Sequence, residues 1–220
     1  VPESGGLLPR ALGAGVSHVE IDLKSAGAGR AYDLMSNLIV PRPIAFVSTI
    51  SASGHANLAP FSYFMIGGPN PPSLAFCPTL GGGGTPKDTL RNLEETGEFV
   101  VNLVTRSMAD GMNQTSAPYP HEFDEWEVSG FTQAASSHVR PARIAESPLS
   151  CECRVFQIVS HGEGAGASRY VIGEILAMHV AEHLLSGEEI GQIEPIARLG
   201  GPDYIDLADG SRFALQRPKA

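Results

Sequence analysis

The sequence predicts a mainly β protein whose strands form an antiparallel closed barrel with a few peripheral helices. About seven runs of β-branched and apolar residues are separated by short turns, which is typical of strands that pair with their neighbours along the chain. Helical patterns do not alternate regularly with these runs, so a doubly wound parallel sheet is not indicated. No internal repeat of fixed period is present.

The N-terminal part of the chain is interpreted as an extension that covers the barrel or a partner subunit. Residues 1–30 are rich in Gly, Ala and Ser, and the alternation in Val19–Leu23 predicts one strand among them. Residues 31–40 predict a short helical turn that stops at Pro41, because proline disfavours a helical conformation in the residue before it.

Three strands are predicted next. Residues 42–50 (RPIAFVSTI) and 73–78 (SLAFCP) are short apolar runs, and residues 58–66 (LAPFSYFMI) form a third run between them. Pro60 lies inside this third run and cannot donate a hydrogen bond to a neighbouring strand. We therefore expect an edge strand or a bulge at that point.

A helix is predicted after the four consecutive glycines at residues 81–84, which are read as a mobile loop. Thr85 is assigned as the N-cap, Pro86 as the first helical residue and Asp88 as the third, a pattern similar to a capping box. Gly97 is expected to end the helix in a left-handed conformation.

The rest of the chain is predicted to alternate further strands with helical and irregular segments. In order, these are a strand over 98–105, a short helix over 107–117, irregular structure over 117–148, a hairpin of strands 149–160 and 169–180, and a C-terminal hairpin that turns at Asp209 and Gly210.

Length and charge limit the function. A chain of 220 residues is expected to form one domain, and no apolar stretch is long enough to span a bilayer. The net charge of −9 argues against nonspecific nucleic-acid binding, which requires a basic face. An acidic protein that binds a phosphate must concentrate its few cations at one place.

The cysteines favour a reducing compartment. Cys77, Cys151 and Cys153 do not form a disulfide framework, and we expect a cytoplasmic protein. Cys151 and Cys153 are expected to share one face of a strand as apolar core residues, and without further ligands they predict no metal site. Pro9 and Arg10 interrupt the apolar part of the N-terminus, which argues against a signal peptide.

One cluster of residue types predicts a phosphate site. The helix that opens near Pro86 presents free N–H groups and a partial positive charge, and Lys87 and Thr89 lie in its first turn. Each of these residues alone is also typical of an ordinary surface or turn position, and it is their order along the chain that favours binding. Neutral hydrogen-bonding groups accompany them at strand ends: Ser48, Thr49, Asn57 and Ser62.

Taken together, these stretches resemble the flavin reductase-like family, the FMN-binding split-barrel proteins. The matching segments cover roughly residues 32–204 and read PRPIAFVST, NLAPFSYF, TPKDTLRN, EFVVNLV, MNQTSAPYP, AESPLSCECR, VIGEI and RLGG. Relatives often carry a basic residue before the Lys-Asp-Thr helix, where this chain has the four glycines of residues 81–84.

The resemblance implies a Greek-key split barrel over residues 31–204, flanked by the 1–30 extension and a C-terminal hairpin or tail at 205–220. It implies a homodimer with FMN near the subunit interface. The Val-Ser-Thr segment would lie along the flavin ring, and the Asn-Leu-Ala-Pro-Phe-Ser and Lys-Asp-Thr segments would reach the ribityl chain and phosphate. The implied cofactor-binding residues are Arg42, Ser48, Thr49, Asn57, Pro60, Ser62, Lys87 and Thr89.

The function that this resemblance implies is hydride transfer from NADH or NADPH to a bound flavin. The cofactor supplies the chemistry, so no catalytic residue needs to be assigned, and the sequence contains no convincing acid–base pair. Two alternatives stay open. One is a flavin-binding electron carrier or sensor without NAD(P)H turnover, and the other is a split-barrel module that binds haem or no cofactor.

Overall fold

The computed structural model describes residues 15–121 and 123–219. Its fourteen strands are β1 (Ala45–Ile50), β2 (Ala56–Phe61), β3 (Phe64–Pro69), β4 (Pro72–Phe76), β5 (Glu98–Asn102), β6 (Gln133–Ala134), β7 (Arg143–Ile144), β8 (Leu149–His161), β9 (Ser168–Val180), β10 (Leu185–Ser186), β11 (Glu189–Ile190), β12 (Ile196–Arg198), β13 (Asp203–Asp206) and β14 (Arg212–Ala214). The α-helices are α1 (Leu23–Leu38), α2 (Asp88–Thr96), α3 (Ala109–Gln114) and α4 (Glu125–Ser129).

Seven of the strands form one antiparallel sheet in the order β2-β1-β5-β8-β9-β4-β3. Its two outermost strands, β2 and β3, are consecutive in the chain and are joined only by Ser62 and Tyr63. Because so short a joint cannot cross a flat sheet of seven strands, the sheet must curl until its two edges meet. No β2–β3 ladder forms, and the barrel stays open along this seam.

Strand β1 is covered on both faces of the sheet. Phe46 in β1 packs into one hydrophobic cluster with Trp126, while its neighbours Ala45 and Val47 pack into a second cluster with Phe76 and other residues. Burial on both faces explains why β1 is a continuous apolar run rather than an alternating one. The predicted fold class is thereby confirmed: the protein is mainly β, with few helices.

The expectation for Pro60 is confirmed. It lies in β2, opposite Phe46 of β1, and β2 is an edge of the sheet, where a missing N–H breaks no ladder bond. The predicted strand over 58–66 is wrong in extent. It divides into β2 and β3 at the seam, and β3 and β4 form a hairpin that turns through Asn70 and Pro71.

The start of α2 differs from the prediction. The N-cap is Lys87 and not Thr85, and the helix begins at Asp88. The Thr85 hydroxyl donates instead to the carbonyl of Gly82, within a hydrogen-bonded 3-10 turn at Gly82–Gly84. The local glycine turn therefore uses the side chain that a capping box would need. The end at Gly97 is confirmed, with φ of 66°.

Other predicted elements divide into confirmed and wrong ones. The β8–β9 hairpin and the C-terminal β13–β14 hairpin are confirmed, as is the short helix at α3. Residues 15–22 contain no strand, so the one predicted at Val19–Leu23 is wrong, and α1 extends much further than the turn predicted over 31–40. The segment 117–148 contains α4, which periodicity did not reveal because the helix has five residues.

The division into 1–30, 31–204 and 205–220 stays a prediction. Helix α1 crosses its first boundary and strand β13 crosses its second. Pro9 and Arg10, on which the statement about a signal peptide depends, lie outside the described residues.

Candidate functional site

The predicted site residues fall into two groups in the structure. Ser48, Thr49, Asn57 and Thr89 are buried and bonded to other parts of the protein. Arg42, Pro60, Ser62 and Lys87 line a cavity, and Asn57 and Thr89 also contribute to the wall of a second cavity beside it.

The buried group forms a polar cluster centred on Asn57. The side-chain oxygen of Asn57 accepts hydrogen bonds from the hydroxyls of Thr89 (2.7 Å) and Thr49 (3.2 Å). Its amide nitrogen donates to the Glu125 carboxylate at 3.0 Å, and Asn92 donates to the Thr49 hydroxyl, also at 3.0 Å. Because the hydroxyls of Thr49 and Thr89 both donate to the side-chain oxygen of Asn57, the orientation of the Asn57 amide group is fixed.

Glu125 closes this polar cluster and was not predicted. It opens α4, where the side chain of Asp124 caps the helix by accepting from the Trp126 N–H. One Glu125 oxygen accepts from the Asn57 amide and from the backbone N–H of Leu58. Burial raises the pKa of this carboxyl group to about 7, against the opposing effect of its hydrogen bonds.

Ser48 lies next to this cluster, and its hydroxyl is also used in a hydrogen bond within the protein. Its hydroxyl donates to the carbonyl of Ala142 at 2.5 Å, and neither Ser48 nor Thr49 lines either of the two cavities. Any contact of theirs with a ring system would have to come from the backbone of β1.

The two cavities form one cleft beside the seam. The smaller has a volume of about 330 Å³ and the larger about 660 Å³, each within the usual range for small-molecule sites. Six residues belong to both walls: Pro60, Phe61, Thr79, Lys87, Ser116 and Arg217. The cleft thus unites Ser62 and Lys87, which come from opposite sides of the glycine turn in the sequence.

The larger cavity contains the elements of a phosphate site. The first turn of α2, at Asp88 and Thr89, opens into it, and its N–H groups have no partners within the helix. Lys87 and Arg91 add positive charge there. The Asp88 carboxylate opposes an anion, but it forms an ion pair with Arg91 at 3.9 Å, and a ring nitrogen of His121 lies 2.6 Å from it.

Lys87 stands between the two cavities. Its ammonium group lies 5.7 Å from the centre of the Phe61 ring. Although the residue keeps contact with solvent through the cleft, desolvation and the nearby Arg217 lower the pKa of its amine. An anion bound beside the Lys87 ammonium group would favour its charged form and so oppose the effects of desolvation and of Arg217 on this pKa.

The smaller cavity is rich in arginine. Arg42 lines it together with Arg198 of β12 and Arg217 of the C-terminal segment, and Tyr204 forms part of the same wall. Arg198 and Arg217 were not predicted as site residues. They lie more than 150 positions after Arg42 in the chain, and only the fold reveals that they share its cavity.

A glycine turn lies at the rim of the larger cavity. Gly81 and Gly82 line it, and Gly84 has φ of 79°. A Cβ atom at Gly84 would lie 3.1 Å from the Cα of Gly164 in the β8–β9 loop, so this close approach requires glycine. The segment expected as a mobile loop forms a turn in which the N–H of Gly81 donates to the carbonyl of Thr85 at 2.8 Å and the N–H of Gly84 donates to the carbonyl of Gly81 at 3.1 Å.

Comparison with known proteins decides the family. The model for a flavin reductase like domain matches residues 35–193. The chain belongs to the flavin reductase-like family. An uncharacterized protein of Halalkalibacterium halodurans is 37% identical over 191 residues, which cover 85% of this chain and 90% of that relative.

Solved structures of flavin reductase-like proteins share the fold. Nitrilotriacetate monooxygenase component B from Bacillus cereus is 33% identical with a TM-score of 0.83, covering 91% of this chain and 100% of that one. Pseudomonas fluorescens 2-nitrobenzoate 2-nitroreductase is 30% identical with a TM-score of 0.77, covering 90% and 96%. A split-barrel protein of Shewanella frigidimarina assigned as a flavin reductase is 24% identical with a TM-score of 0.71, covering 89% and 96%. The resemblance and the split-barrel fold are therefore confirmed.

Two further findings concern this flavin reductase-like chain as a whole. None of its described helices is long and apolar enough to cross a lipid bilayer. Across residues 15–121 and 123–219, no group of three or more His, Cys, Asp or Glu side chains is placed to hold a metal ion.

Cys151 and Cys153 are buried in one hydrophobic cluster, as expected. Burial raises the pKa of both thiols, that of Cys151 to about 11.

Proposed function

We propose that the protein is an FMN-binding oxidoreductase of flavin reductase type that takes hydride from NADH or NADPH. The observation that carries this proposal is the meeting of Lys87, the first turn of α2, and Ser62 around one cleft at the barrel seam. In a chain of net charge −9, cations placed together at one cleft favour a ligand with negative charge.

The residues of the cleft fit FMN. Lys87 and the N–H groups at the start of α2 would hold the phosphate, and Ser62 would bond to the ribityl chain. Pro60, Phe61 and Leu80 give the cavity walls an apolar surface for a flat ring. When bound, FMN supplies the hydride chemistry at its N5 atom, so the protein needs to bind, orient and exclude water rather than to transfer protons.

The buried polar cluster supports this role indirectly. Asn57, Thr89 and Glu125 hold β2, α2 and α4 together behind the larger cavity through their mutual hydrogen bonds. A wall fixed in this way keeps the start of α2 at a constant distance from β2, and a preorganised site loses less entropy on binding.

The comparisons support an oxidoreductase more than a passive binding module. The two solved structures with 33% and 30% identity are named as a monooxygenase component and as a nitroreductase. Both names imply redox chemistry. No comparison specifies the electron donor, so NADH or NADPH is part of the proposal.

Absorbance and turnover test this function. We expect the purified protein to show flavin peaks and to oxidise NADH or NADPH when free flavin is supplied. Flavin peaks without oxidation of either nucleotide would instead indicate an electron carrier or sensor. A Soret band, or no visible absorbance after addition of FMN, would contradict the proposal in favour of a haem or cofactor-free module.

Lys87→Ala tests the phosphate position. The variant should bind FMN about 10- to 150-fold more weakly, because a hydrogen bond to a charged group contributes roughly 1.5–3 kcal/mol. Riboflavin, which lacks the phosphate, should lose much less. Fluorescence titration measures both affinities, and Lys24→Ala on α1, which lines neither cavity, serves as the control. Equal losses for both flavins would exclude the assigned role.

We also propose a homodimer with FMN near the subunit interface. The outer half of the β8–β9 hairpin extends beyond the buried part of the sheet and exposes Phe156, Val159 and Tyr170, with Phe156 73% exposed. Burying such a surface against a second copy stabilises both. Light scattering after size exclusion should give a dimer that Phe156→Glu converts to a monomer. Ile190→Glu on β11 is the matched exposed control, and an unchanged dimer in Phe156→Glu would contradict this interface.

A cytoplasmic location is also proposed. Cys77, Cys151 and Cys153 are free and buried, which suits a reducing compartment. Fractionation of the producing cell, with a cytoplasmic enzyme as marker, tests it, and recovery outside the cytoplasm would contradict it.

A further inference from the structure

The smaller cavity has an unbalanced charge. Arg42, Lys87, Arg198 and Arg217 line it, and among the residues that the structure describes no Asp or Glu belongs to its wall. Within residues 15–121 and 123–219, none of these four cations forms an ion pair with a carboxylate. Because Lys87 is assigned to the cofactor phosphate, the three arginines are the cations left without a counter-charge, which is unexpected in a chain of net charge −9, and we call this space the arginine cavity.

Two of the arginines are direct neighbours. Arg42 and Arg198 pair across two antiparallel segments, with the N–H of Arg42 donating to the Arg198 carbonyl at 2.9 Å and the reverse bond at 2.8 Å. Like charges directly opposite each other on paired strands are destabilising. No carboxylate among the described residues of the cavity wall compensates this repulsion.

Arg42 is buried with its hydrogen bonds incomplete. Its guanidinium group donates to the carbonyls of Ser36, Ile39 and Leu199, which tie α1 to the barrel but carry no negative charge. Its Nε atom is buried and has no partner among the described residues, and the side chain is 8% exposed. Burial lowers the pKa of this guanidinium, and nearby Arg198 acts in the same direction. A buried cation is normally paired, so a partner is missing.

Arg198 is held in place by neutral groups. It donates to the Tyr204 hydroxyl and to the carbonyl of Gly201, and it stacks on the Tyr204 ring with 4.5 Å between guanidinium and ring centre. These contacts fix its direction without neutralising it. A fixed guanidinium fork at a cavity wall is the geometry that recognises a carboxylate or a phosphate.

We propose that the arginine cavity binds the carboxylate or phosphate group of a second ligand, in addition to the cofactor phosphate at the start of α2. This inference rests on the proposed function in one respect: the proposed function assigns the cofactor phosphate to the larger cavity. The second ligand is an anionic small molecule that shares the cleft with the flavin. Its anion can belong to the nicotinamide donor, which carries a pyrophosphate, or to an acidic electron acceptor.

Anion binding to the protein without flavin, compared between the unmodified protein and Arg198 variants, tests the arginine cavity, because Arg198 lines this cavity and not the larger one. Benzoate and inorganic phosphate should raise the melting temperature, and neutral benzamide should not. Arg198→Gln should weaken benzoate about tenfold or more, because charge-assisted hydrogen bonds are lost, while Arg198→Lys should retain part of the affinity. Arg212→Gln, on the exposed side of β14, is the control. The absence of any stabilisation by either anion would overturn the inference even if the protein binds FMN normally.

Flavin titrations separate the cofactor from the second ligand. If Arg198→Gln weakens FMN as strongly as Lys87→Ala does and leaves riboflavin unchanged, the cavity holds the cofactor phosphate and the inference is overturned. If FMN affinity is unchanged, turnover identifies the source of the anion. A raised KM for NADH or NADPH with a neutral acceptor assigns the site to the donor, and a raised KM only for an acidic acceptor assigns it to the acceptor.

Discussion

The polar cluster around Asn57 and the arginine cavity differ in how completely their charges and hydrogen bonds are satisfied. In the polar cluster, each hydroxyl, amide and carboxylate has a partner from another element. In the arginine cavity, four cations line one wall without a carboxylate from the described chain. The two regions lie on neighbouring sides of the same cleft, yet only the second needs a ligand to become complete.

This difference separates residues that build a site from residues that bind in it. A buried side chain whose bonds are all made within the protein contributes to stability, and its loss is felt whether or not a ligand is present. A side chain with unused bonding capacity contributes to affinity. The predictions below test that distinction, beginning with the largest effect.

Asn57→Ala should destabilise the protein more than any other change in the cleft. It leaves the hydroxyls of Thr49 and Thr89 without their acceptor and removes one of the two donors to the buried Glu125 oxygen, which together should cost about 3 kcal/mol in the free energy of unfolding. Urea denaturation followed by tryptophan fluorescence measures it, since Trp126 lies in the adjacent core. A loss below about 1 kcal/mol would show that the cluster is not a structural unit.

Glu125→Gln should change how stability depends on pH. Since the folded-state pKa of about 7 lies above the ordinary value of 4.5, the folded protein holds this proton more tightly than the unfolded chain does. Stability therefore falls as pH rises through that window, by up to about 3 kcal/mol in total. Glutamine keeps an oxygen for Asn57 and Leu58 but does not ionise.

Denaturation at pH 5 and pH 8 provides the comparison for Glu125. The difference in unfolding free energy between the two pH values should be smaller in Glu125→Gln than in the unmodified protein. Other groups titrate equally in both proteins, so the difference between the two profiles reports Glu125 alone. Parallel profiles would mean that the carboxylate is ionised in the folded state over the whole window.

Thr49→Val and Ser62→Ala should give opposite results, although both residues were predicted to bind the cofactor. Thr49→Val should cost about 1 kcal/mol of stability and leave flavin affinity nearly unchanged, because its hydroxyl is bonded within the cluster. Ser62→Ala should alter stability by less than about 0.5 kcal/mol and weaken flavin binding a fewfold. Unfolding and flavin titration on both variants check this, and a reversed pattern would refute the division between the two regions.

The fold was largely predictable because its signals are local. Period-two patterns and turn residues mark the β8–β9 and β13–β14 hairpins, and Pro60 indicated the edge of the sheet. The N-cap was misassigned because the Thr85 side chain has two possible local roles. As an N-cap its oxygen would accept from a helix N–H, whereas in the structure its hydroxyl donates to the carbonyl of Gly82. A five-residue helix such as α4 contains too few turns for a periodic signal, so Glu125 was missed with it.

The site was predictable only in part because its charges come from distant segments. Lys87 and Ser62 belong to recognisable motifs near each other in the sequence. Arg198 reaches Arg42 through a backbone pairing that no local pattern encodes, and Arg217 comes from the tail beyond the matched region. Sequence order could also not distinguish Thr49, whose hydroxyl is used internally, from Ser62, whose side chain faces the cavity.

The connection through Ser62 and Tyr63 limits how far apart the ends of β2 and β3 lie beside the cleft. Three peptide units limit the Cα separation of Phe61 and Phe64 to about 11 Å, and the Tyr63 carbonyl is further anchored by the N–H of Cys77 at 2.8 Å. Both edges of the sheet are thereby held close to one another beside the cleft. The two edges of the sheet therefore cannot separate at this point of the cleft.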